Sequence, residues 1–419
     1  MKEATGPVRN FPLADEAVRA AADHHAANAV DFANSEKTCA HLSDGDLRRT
    51  ALLFRLMGQP WLTNLLSTLG AAAVKYRLPG AAWAVKNTIF RQFVGGTSLV
   101  AAQASIRKLG RLGVDSILDY GAEAKQTVEG RNESMRQILA AIDFSAETEA
   151  AIGTVVKVSS IVAFDLLAKF NEVAATEPAD YDGALAAGLK RLDAICGRAH
   201  QKGVELYIDA EESWIQHTID RLAERMMERY NRERVVVITT CQLYRHDRLA
   251  YLKDLHERGR TGSYLIGVKL VRGAYLVKEN DRAGERGYPT PIQPTLAATH
   301  ADYNAALRYC FEHRDTILLC LATHNEESTR LLTQLIDTNN LRRDHPHLRF
   351  SQLLGMSGNL TFNLADAGFN VSKYMVYGPV TDVLPYLVRR AQENTSVTGE
   401  AGRELRLVLT EISRRAARS

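Results

Sequence analysis

The sequence predicts an α/β protein, a (β/α)8 barrel preceded by a helical segment. Three observations carry this. From about residue 116 onward, short β-rich runs alternate with longer helical stretches, which is the signature of βαβ units and a parallel sheet. Eight such runs fall within about 260 residues, the usual extent of a (β/α)8 barrel. Residues 14 to about 110 read differently: they are rich in Ala and Leu, with helical apolar spacing such as Leu52, Leu53, Leu56 and Met57.

The eight expected strands, in order, are Ser116–Asp119, Val155–Val162, Glu205–Asp209, Val235–Thr240, Tyr264–Val271, Ile317–Thr323, Arg349–Leu354 and Lys373–Tyr377. Pro60 and Pro79-Gly80 punctuate the helical segment, where no β-branched run of strand length stands out. The expected division is a helical segment over residues 1–110, a barrel over 111–400 and a helical tail over 401–419.

Composition removes several classes. The chain has 419 residues, with 46% hydrophobic and 24% charged, which are ordinary globular values. A formal net charge of +3 with no Lys/Arg run argues against nucleic acid. Five scattered cysteines without a C-x-x-C pair fit unpaired thiols in a reducing compartment. The first residues show neither a secretory nor a transit-peptide pattern. No apolar run reaches the ~18 residues of a membrane span. The nearest, Trp61–Val74, reads as a core helix or an interfacial amphipathic one.

A barrel places reactive groups at the C-terminal ends of its strands. Those ends carry Asp119 and Glu123, Lys157, Asp209 with Glu211 and Glu212, Gln242 with Tyr244, Lys269 with Arg272 and Tyr275, Thr323-His324-Asn325, Gln352 and Tyr377. Such polar groups favour an enzyme. After Tyr377, Gly378-Pro379 turns the chain and Thr381 or Asp382 can cap a helix. On it Tyr386, Arg389, Arg390 and Glu393 share one face, forming either a carboxylate clamp or a solvated face. No GxGxxG, P-loop or GxSxG occurs. The carboxylates after strand three lack a His at ligand spacing, so no metal is expected.

Taken together, IDAEESW (208–214), KLVRGAY (269–275), ATHN (322–325), QLLGM (352–356) and YGPV…YLVRRAQEN (377–394) resemble the proline dehydrogenase (proline oxidase) family, in its monofunctional form. FRQFVGGTS (90–98) and LDYGAE (118–123) extend the similarity, which covers roughly residues 88–400. The resemblance implies a distorted TIM-type barrel holding FAD noncovalently. It implies oxidation of L-proline to Δ1-pyrroline-5-carboxylate, with electrons passed to a membrane quinone. It also implies peripheral contact with the inner membrane from the cytoplasm or, alternatively, from the mitochondrial matrix.

Carried over by motif, Arg389, Arg390 and Lys157 would hold the substrate carboxylate, and Tyr275, Tyr377 and Tyr386 would wall the ring. Asp209 would join Lys157 in a polar floor, and Glu123 would pair with Arg389 as a gate. Asp209, Gln242, Lys269, Val271, Gly273, Ala274, Thr323, His324, Asn325 and Glu393 would meet FAD. Some relatives carry Arg where this chain has Lys269, so a planar fork is replaced by a point charge. Tyr377 beside the ring should disfavour a 4-hydroxyl; Tyr377→Ser kinetics test this, and no relative gain for hydroxyproline would remove the idea. Two rival readings are a Schiff-base aldolase with Lys157 as nucleophile and a noncatalytic flavin barrel.

Overall fold

In the computed structural model, residues 30–57, 76, 79–121, 125–172, 181–396 and 400–418 are described. Nine strands occur among them: β1 (Val94–Gly96), β2 (Asp115–Tyr120), β3 (Ala151–Val156), β4 (Glu205–Ile208), β5 (Val237–Gln242), β6 (Ile266–Val271), β7 (Ile317–Ala322), β8 (Leu348–Leu353) and β9 (Val371–Tyr377). Strands β2 to β9 pair in sequence order, every pair parallel, and β9 pairs with both β8 and β2, so the sheet closes into an eight-stranded barrel. Helices follow the strands, as parallel pairing requires a crossover that covers the outer face.

Side chains alternate across each strand, and this sorts the apolar residues into two layers. Ile117, Val155, Tyr207, Ile238, Leu318 and Cys320 form one cluster that fills the lumen. Their neighbours Leu118, Val156, Leu206, Ile208, Val237, Leu319 and Leu321 belong to the larger cluster shared with the helices. All five cysteines are buried thiols.

The barrel wall departs from the expectation at two places. The third strand ends at Val156, and Val158–Ser160 make a 3-10 turn instead of continuing the run to Val162. Ser160 returns its hydroxyl to the Lys157 carbonyl (2.7 Å) and Ser159 N–H donates to Glu211 (3.0 Å), so local serine bonding outweighs β-propensity. The second departure is β1, within the segment read as helical. It pairs with β9 over Val376 and Tyr377, beyond the stretch Val371–Tyr374 that β8 covers. A Cβ at Gly95 would meet Met375 Sδ at 2.4 Å, and one at Gly96 would meet the Ala102 backbone at 2.5 Å. Only glycine allows this approach, and glycine carries no strand signature.

The final helix, Glu400–Ala416, packs on the N-terminal helix Asp44–Met57 through Val408, Leu47 and Ala51. Glu411, fully buried, binds Arg414 and Arg415, and Arg415 reaches the Leu42 and Cys39 carbonyls at 2.9 and 3.0 Å. Phe54 and Met57 of the N-terminal helix join Phe93, Tyr386 and Leu387 in a further cluster. Both ends of the chain thus buttress the helix Val380–Ser396 that carries Arg389 and Arg390. The segment Trp61–Val74 and the residue Glu123 lie outside the described residues.

Candidate active site

Register assembles the centre of the site. The pairs Val156↔Ile208 and Ile208↔Thr239 put Lys157, Asp209 and Thr240 one residue further up adjacent strands, and Thr240 pairs with Lys269. These four share one level at the C-terminal mouth of the barrel. Asp209 is the hub. Its Oδ1 accepts from Lys269 Nζ at 2.5 Å; its Oδ2 accepts from the Tyr374 hydroxyl at 2.8 Å and lies 3.4 Å from Lys157 Nζ. Lys157 Nζ also donates to Asp119 Oδ2 at 2.9 Å. Lys269 Nζ sits 5.0 Å above the Tyr374 ring.

Burial sets the charge states. It works against charge at Asp209, yet Lys269 and Lys157 overcome it and hold the carboxyl down at about 2. Burial likewise opposes the Lys157 ammonium, but Asp119 and Asp209 hold its pKa well above the ordinary lysine value. Burial pushes Asp119 upward against the pull of Lys157. Lys157 is therefore a fixed cation at neutral pH, suited to binding an anion and unsuited to nucleophilic attack, which needs the neutral amine. That disfavours the aldolase reading.

Beside this centre, the helix Val380–Ser396 starts at Val380, ahead of Thr381 and Asp382. The Asp382 and Val383 N–H groups donate to the Pro379 carbonyl, and the Asp382 carboxylate receives the Tyr120 hydroxyl at 3.3 Å. Arg389 is half-buried and Arg390 is buried, with the Arg390 guanidinium 5.3 Å from the Tyr386 ring. Burial raises the Tyr275 hydroxyl pKa, Glu211 and Glu212 raise it further, and Arg389 and Lys157 oppose them. Tyr275 thus lies in the electrostatic field of both the lysine centre and the arginine helix.

The loops after β5 to β8 supply a second group of donors. Gln242 Nε2 donates to the Glu211 carbonyl at 2.8 Å. Arg272 donates to Thr323 Oγ1 (2.7 Å), His300 Nδ1 (2.9 Å) and Ser328 Oγ (3.1 Å). His324 Nδ1 lies 2.8 Å from Ser357 Oγ, and its carbonyl receives Arg403 at 3.1 Å. Burial first, then Lys373, Arg390, Arg403 and Arg272, keeps His324 neutral, well below the usual imidazole pKa. Gly273 has φ +143°, and a Cβ there would meet the Tyr244 ring at 2.4 Å. Among the described residues, Thr240 Oγ1 and Gln352 Nε2 are buried with no hydrogen-bond partner. No group of three or more His, Cys, Asp or Glu among them is placed to hold a metal.

Residues 102–403 match the family described as proline dehydrogenase. The chain belongs to the proline dehydrogenase family. It is 32% identical over 355 residues to the carbapenem antibiotics biosynthesis protein CarD of Pectobacterium carotovorum subsp. carotovorum, covering 84% of this chain and 91% of that one. It is 30% identical over 374 residues to the mitochondrial proline dehydrogenase 1 of Dictyostelium discoideum (79% and 65% covered), and 39% over 230 residues to that of Homo sapiens (54% and 38%). The chain thus spans less than two thirds of these mitochondrial relatives. Proline utilization A from Bdellovibrio bacteriovorus, inactivated by N-propargylglycine, shares the fold with a TM-score of 0.67 at 20% identity, over 87% of this chain and 37% of that one.

The geometry brings Lys157, Asp209 and Lys269 into one cluster and sets Tyr275 within the field of Lys157 and Arg389. The Tyr377 ring lies 5.6 Å from that of Tyr120, and its buried hydroxyl has no hydrogen-bond partner among the described residues. Asn325 caps the following helix by accepting from Ser328 N–H at 2.8 Å. Val271 is half-buried and Ala274 is exposed. The side chain of Glu393 lies outside the described residues. Tyr374, Ser357, Arg403 and Glu404 carried no expectation. Tyr374 was within reach of strand alternation, since it lies two residues from Ser372 and Val376 on one face of β9.

Glu211 provides a pH-dependent test. It is 5% exposed, accepts from Ser159 N–H at 3.0 Å and from the Ser159 hydroxyl, and burial raises its carboxyl from 4.5 to about 7. A raised folded-state pKa gives a stabilising contribution that is full below the unfolded value and lost as pH rises through about 7. The unfolding free energy of Glu211→Gln relative to the wild type should therefore gain about 3 kcal/mol between roughly pH 4.5 and 8. Urea titrations at several pH values measure it; a difference that does not change with pH contradicts the assignment.

Proposed function

We propose that the protein oxidises L-proline to Δ1-pyrroline-5-carboxylate with FAD and passes the electrons to a membrane quinone. The observation that carries this reading is the paired-lysine centre around Asp209, beside the helix bearing Arg389 and Arg390. A small anionic substrate needs such a concentration of fixed cations, and a flat cofactor needs the donors that surround it.

The residues fit a flavin dinucleotide. The buried and unpartnered Thr240 Oγ1 and Gln352 Nε2 need a polar group, and the bare Gly273 backbone admits one close by. Lys269, Gln242, Arg272, Thr323 and His324 would hold FAD, which when bound supplies a two-electron, hydride-accepting centre. The chain's own residues do the rest. Arg389, Arg390 and Lys157 clamp the substrate carboxylate and thereby fix the ring carbon next to nitrogen. Tyr275 and Tyr386 close the apolar sides of the ring, and water exclusion strengthens the clamp. The ring amine must be neutral when hydride leaves, because its lone pair drives the departure.

Membrane contact has local support. Among the described residues no helix is long and apolar enough to cross a membrane. Leu52, Tyr76 and Trp83 are 57%, 73% and 71% exposed on either side of the sequence run Trp61–Val74. That favours peripheral attachment at an inner membrane, from the cytoplasm or, as the named mitochondrial relatives support, from the matrix side.

The purified protein should be yellow and lose its flavin band near about 450 nm on anaerobic addition of L-proline. A colourless protein, or a band unmoved by proline, sinks the reading. A soluble quinone should then restore the band. The clamp is tested by Arg390→Met, which should raise the KM for proline by about 10- to 100-fold, the loss of one charge-assisted hydrogen-bonded contact of 1.5–3 kcal/mol. An unchanged KM removes Arg390 from carboxylate binding.

A further inference from the structure

We infer that Glu279 is a positioning residue that holds Tyr275 against the substrate ring. The inference rests on the proline-oxidation reading and deepens it. Tyr275 is the residue before the helix Leu276–Arg286, with φ −122° and no side-chain capping bond of its own. Gly273 and Ala274 ahead of it are exposed, and Leu276 and Val277 after it are 47% and 70% exposed. Apolar packing of these chain neighbours therefore does not seat it. Glu279 stands one turn further on and shares its face of the helix, its N–H donating to the Tyr275 carbonyl at 2.9 Å.

Glu279 is fully buried, and both of its carboxylate oxygens are engaged by another helix. One accepts from the Ser213 N–H at 2.7 Å and the other from the Ser213 hydroxyl at 2.6 Å. Ser213 begins the helix Ser213–Tyr230, four residues after Asp209. That helix has no cap from its own sequence: Glu212, at the capping position, makes no side-chain capping bond, and no acidic residue lies in the first turn. Glu279 supplies the missing acceptor and the negative charge that a helix N-terminus favours. Lys278 pairs with Glu212, and the Arg282 guanidinium lies 4.4 Å from the centre of the Trp214 ring, so neighbours on both helices fasten the same contact. The carboxylate thus locks the turn carrying Tyr275 to the strand end carrying Asp209. The Tyr275 hydroxyl lies in the field of Arg389 and Lys157, so a shift of this turn is felt at the wall of the substrate site.

In the holoenzyme, Glu279→Ala should raise the KM for L-proline by about tenfold with kcat within about threefold, since an ill-placed wall weakens binding before it slows chemistry. In a Tyr275→Ala background the same substitution should change KM by less than about twofold, because the ring it positions is gone. A merely structural glutamate gives an equal KM rise in both backgrounds, or none in either, and both results overturn the inference. Equal falls in kcat and kcat/KM also overturn it, because they place the carboxylate in the reaction. Glu279→Gln keeps one acceptor for Ser213 and should raise KM by about threefold, with the same dependence on Tyr275. It decides the question where the alanine variant fails to fold.

A second measurement needs no turnover. In urea unfolding of the intact chain, Glu279→Ala and Ser213→Ala should couple by about tenfold in the unfolding equilibrium, whereas strict additivity overturns the contact. A wild type whose flavin is not reduced by proline overturns the proline reading instead, so the two failures are distinguishable.

Discussion

Asp209→Ala lowers kcat/KM for L-proline by more than about a hundredfold and destabilises the fold by about 3–5 kcal/mol. The expectation follows from what the carboxylate holds. Lys269 and Lys157, with side chains 5% and 15% exposed, both pair with it. Removing it leaves two ammoniums in a nearly dry barrel mouth with Asp119 as the remaining carboxylate partner in the cluster, and the Tyr374 hydroxyl loses one of its two carboxylate neighbours. Breaking one side of a buried ion pair costs more than the pair itself contributes, because the uncompensated charge stays buried. Activity falls through Lys157, which turns wholly toward Asp119, and through Lys269, which loses the contact that aims it.

Asp209→Asn should lie between, since its oxygen still accepts one donor. The pH sign is definite. A carboxyl held down at about 2 contributes stability that is present above its ordinary value and lost only as pH falls through about 2. The penalty of the alanine variant should therefore be flat across neutral pH. Steady-state kinetics and urea midpoints measure both effects; activity within about threefold of wild type contradicts the central role.

Glu404→Ala produces the second large effect, a loss of about 3–5 kcal/mol in unfolding free energy together with weakened retention of the flavin. Glu404 lies on the final helix and is 7% exposed. Burial raises the Glu404 carboxyl pKa, and Lys373, Arg403 and the Ser357 and Gly358 N–H groups at the start of the helix Gly358–Asp366 oppose that. Burial pushes Lys373 down from the usual lysine range, and Glu404 opposes that. Lys373 otherwise donates to the Leu353 and Met356 carbonyls.

Without Glu404, Lys373 and the start of that helix lose the buried carboxyl that bears on both. The disturbance reaches His324 because Ser357, at that helix start, is the partner of His324 Nδ1. Arg403, one residue before Glu404, holds the His324 carbonyl. Glu404→Gln keeps an acceptor and should lose less. Urea unfolding and the flavin-to-protein absorbance ratio after gel filtration are the measurements. A variant as stable and as yellow as wild type contradicts the role.

The difference between Tyr374 and Tyr377 shows why part of the site was legible and part was not. Both lie on β9, three residues apart, so they face opposite sides of the strand. The motif that follows β9 draws attention to Tyr377. Which side faces the lumen depends on the register of β9 against β2 and β8, set by backbone pairing with residues some 250 and 20 positions away. Lys157, Asp209 and Lys269 were legible because each stands at the end of its own run, where a barrel places its chemistry. Their mutual contacts were not, because they depend on residues 52 and 60 positions apart meeting at one level.

The sequence by itself determined the fold class, the approximate position of the eight barrel strands and the family. Alternation, strand count and motif spacing are local properties, written within a few residues of where they act. Only the tertiary structure decided that β1, built from glycines, completes the wall above β8, since a strand defined by close approach has no side-chain signature. Only it decided that the final helix clamps His324 and joins the N-terminal helix, because Glu404, Glu411 and Arg415 find partners across long stretches of chain. It also decided which tyrosine answers Asp209, because burial and pairing, not residue type, choose where a hydroxyl can donate.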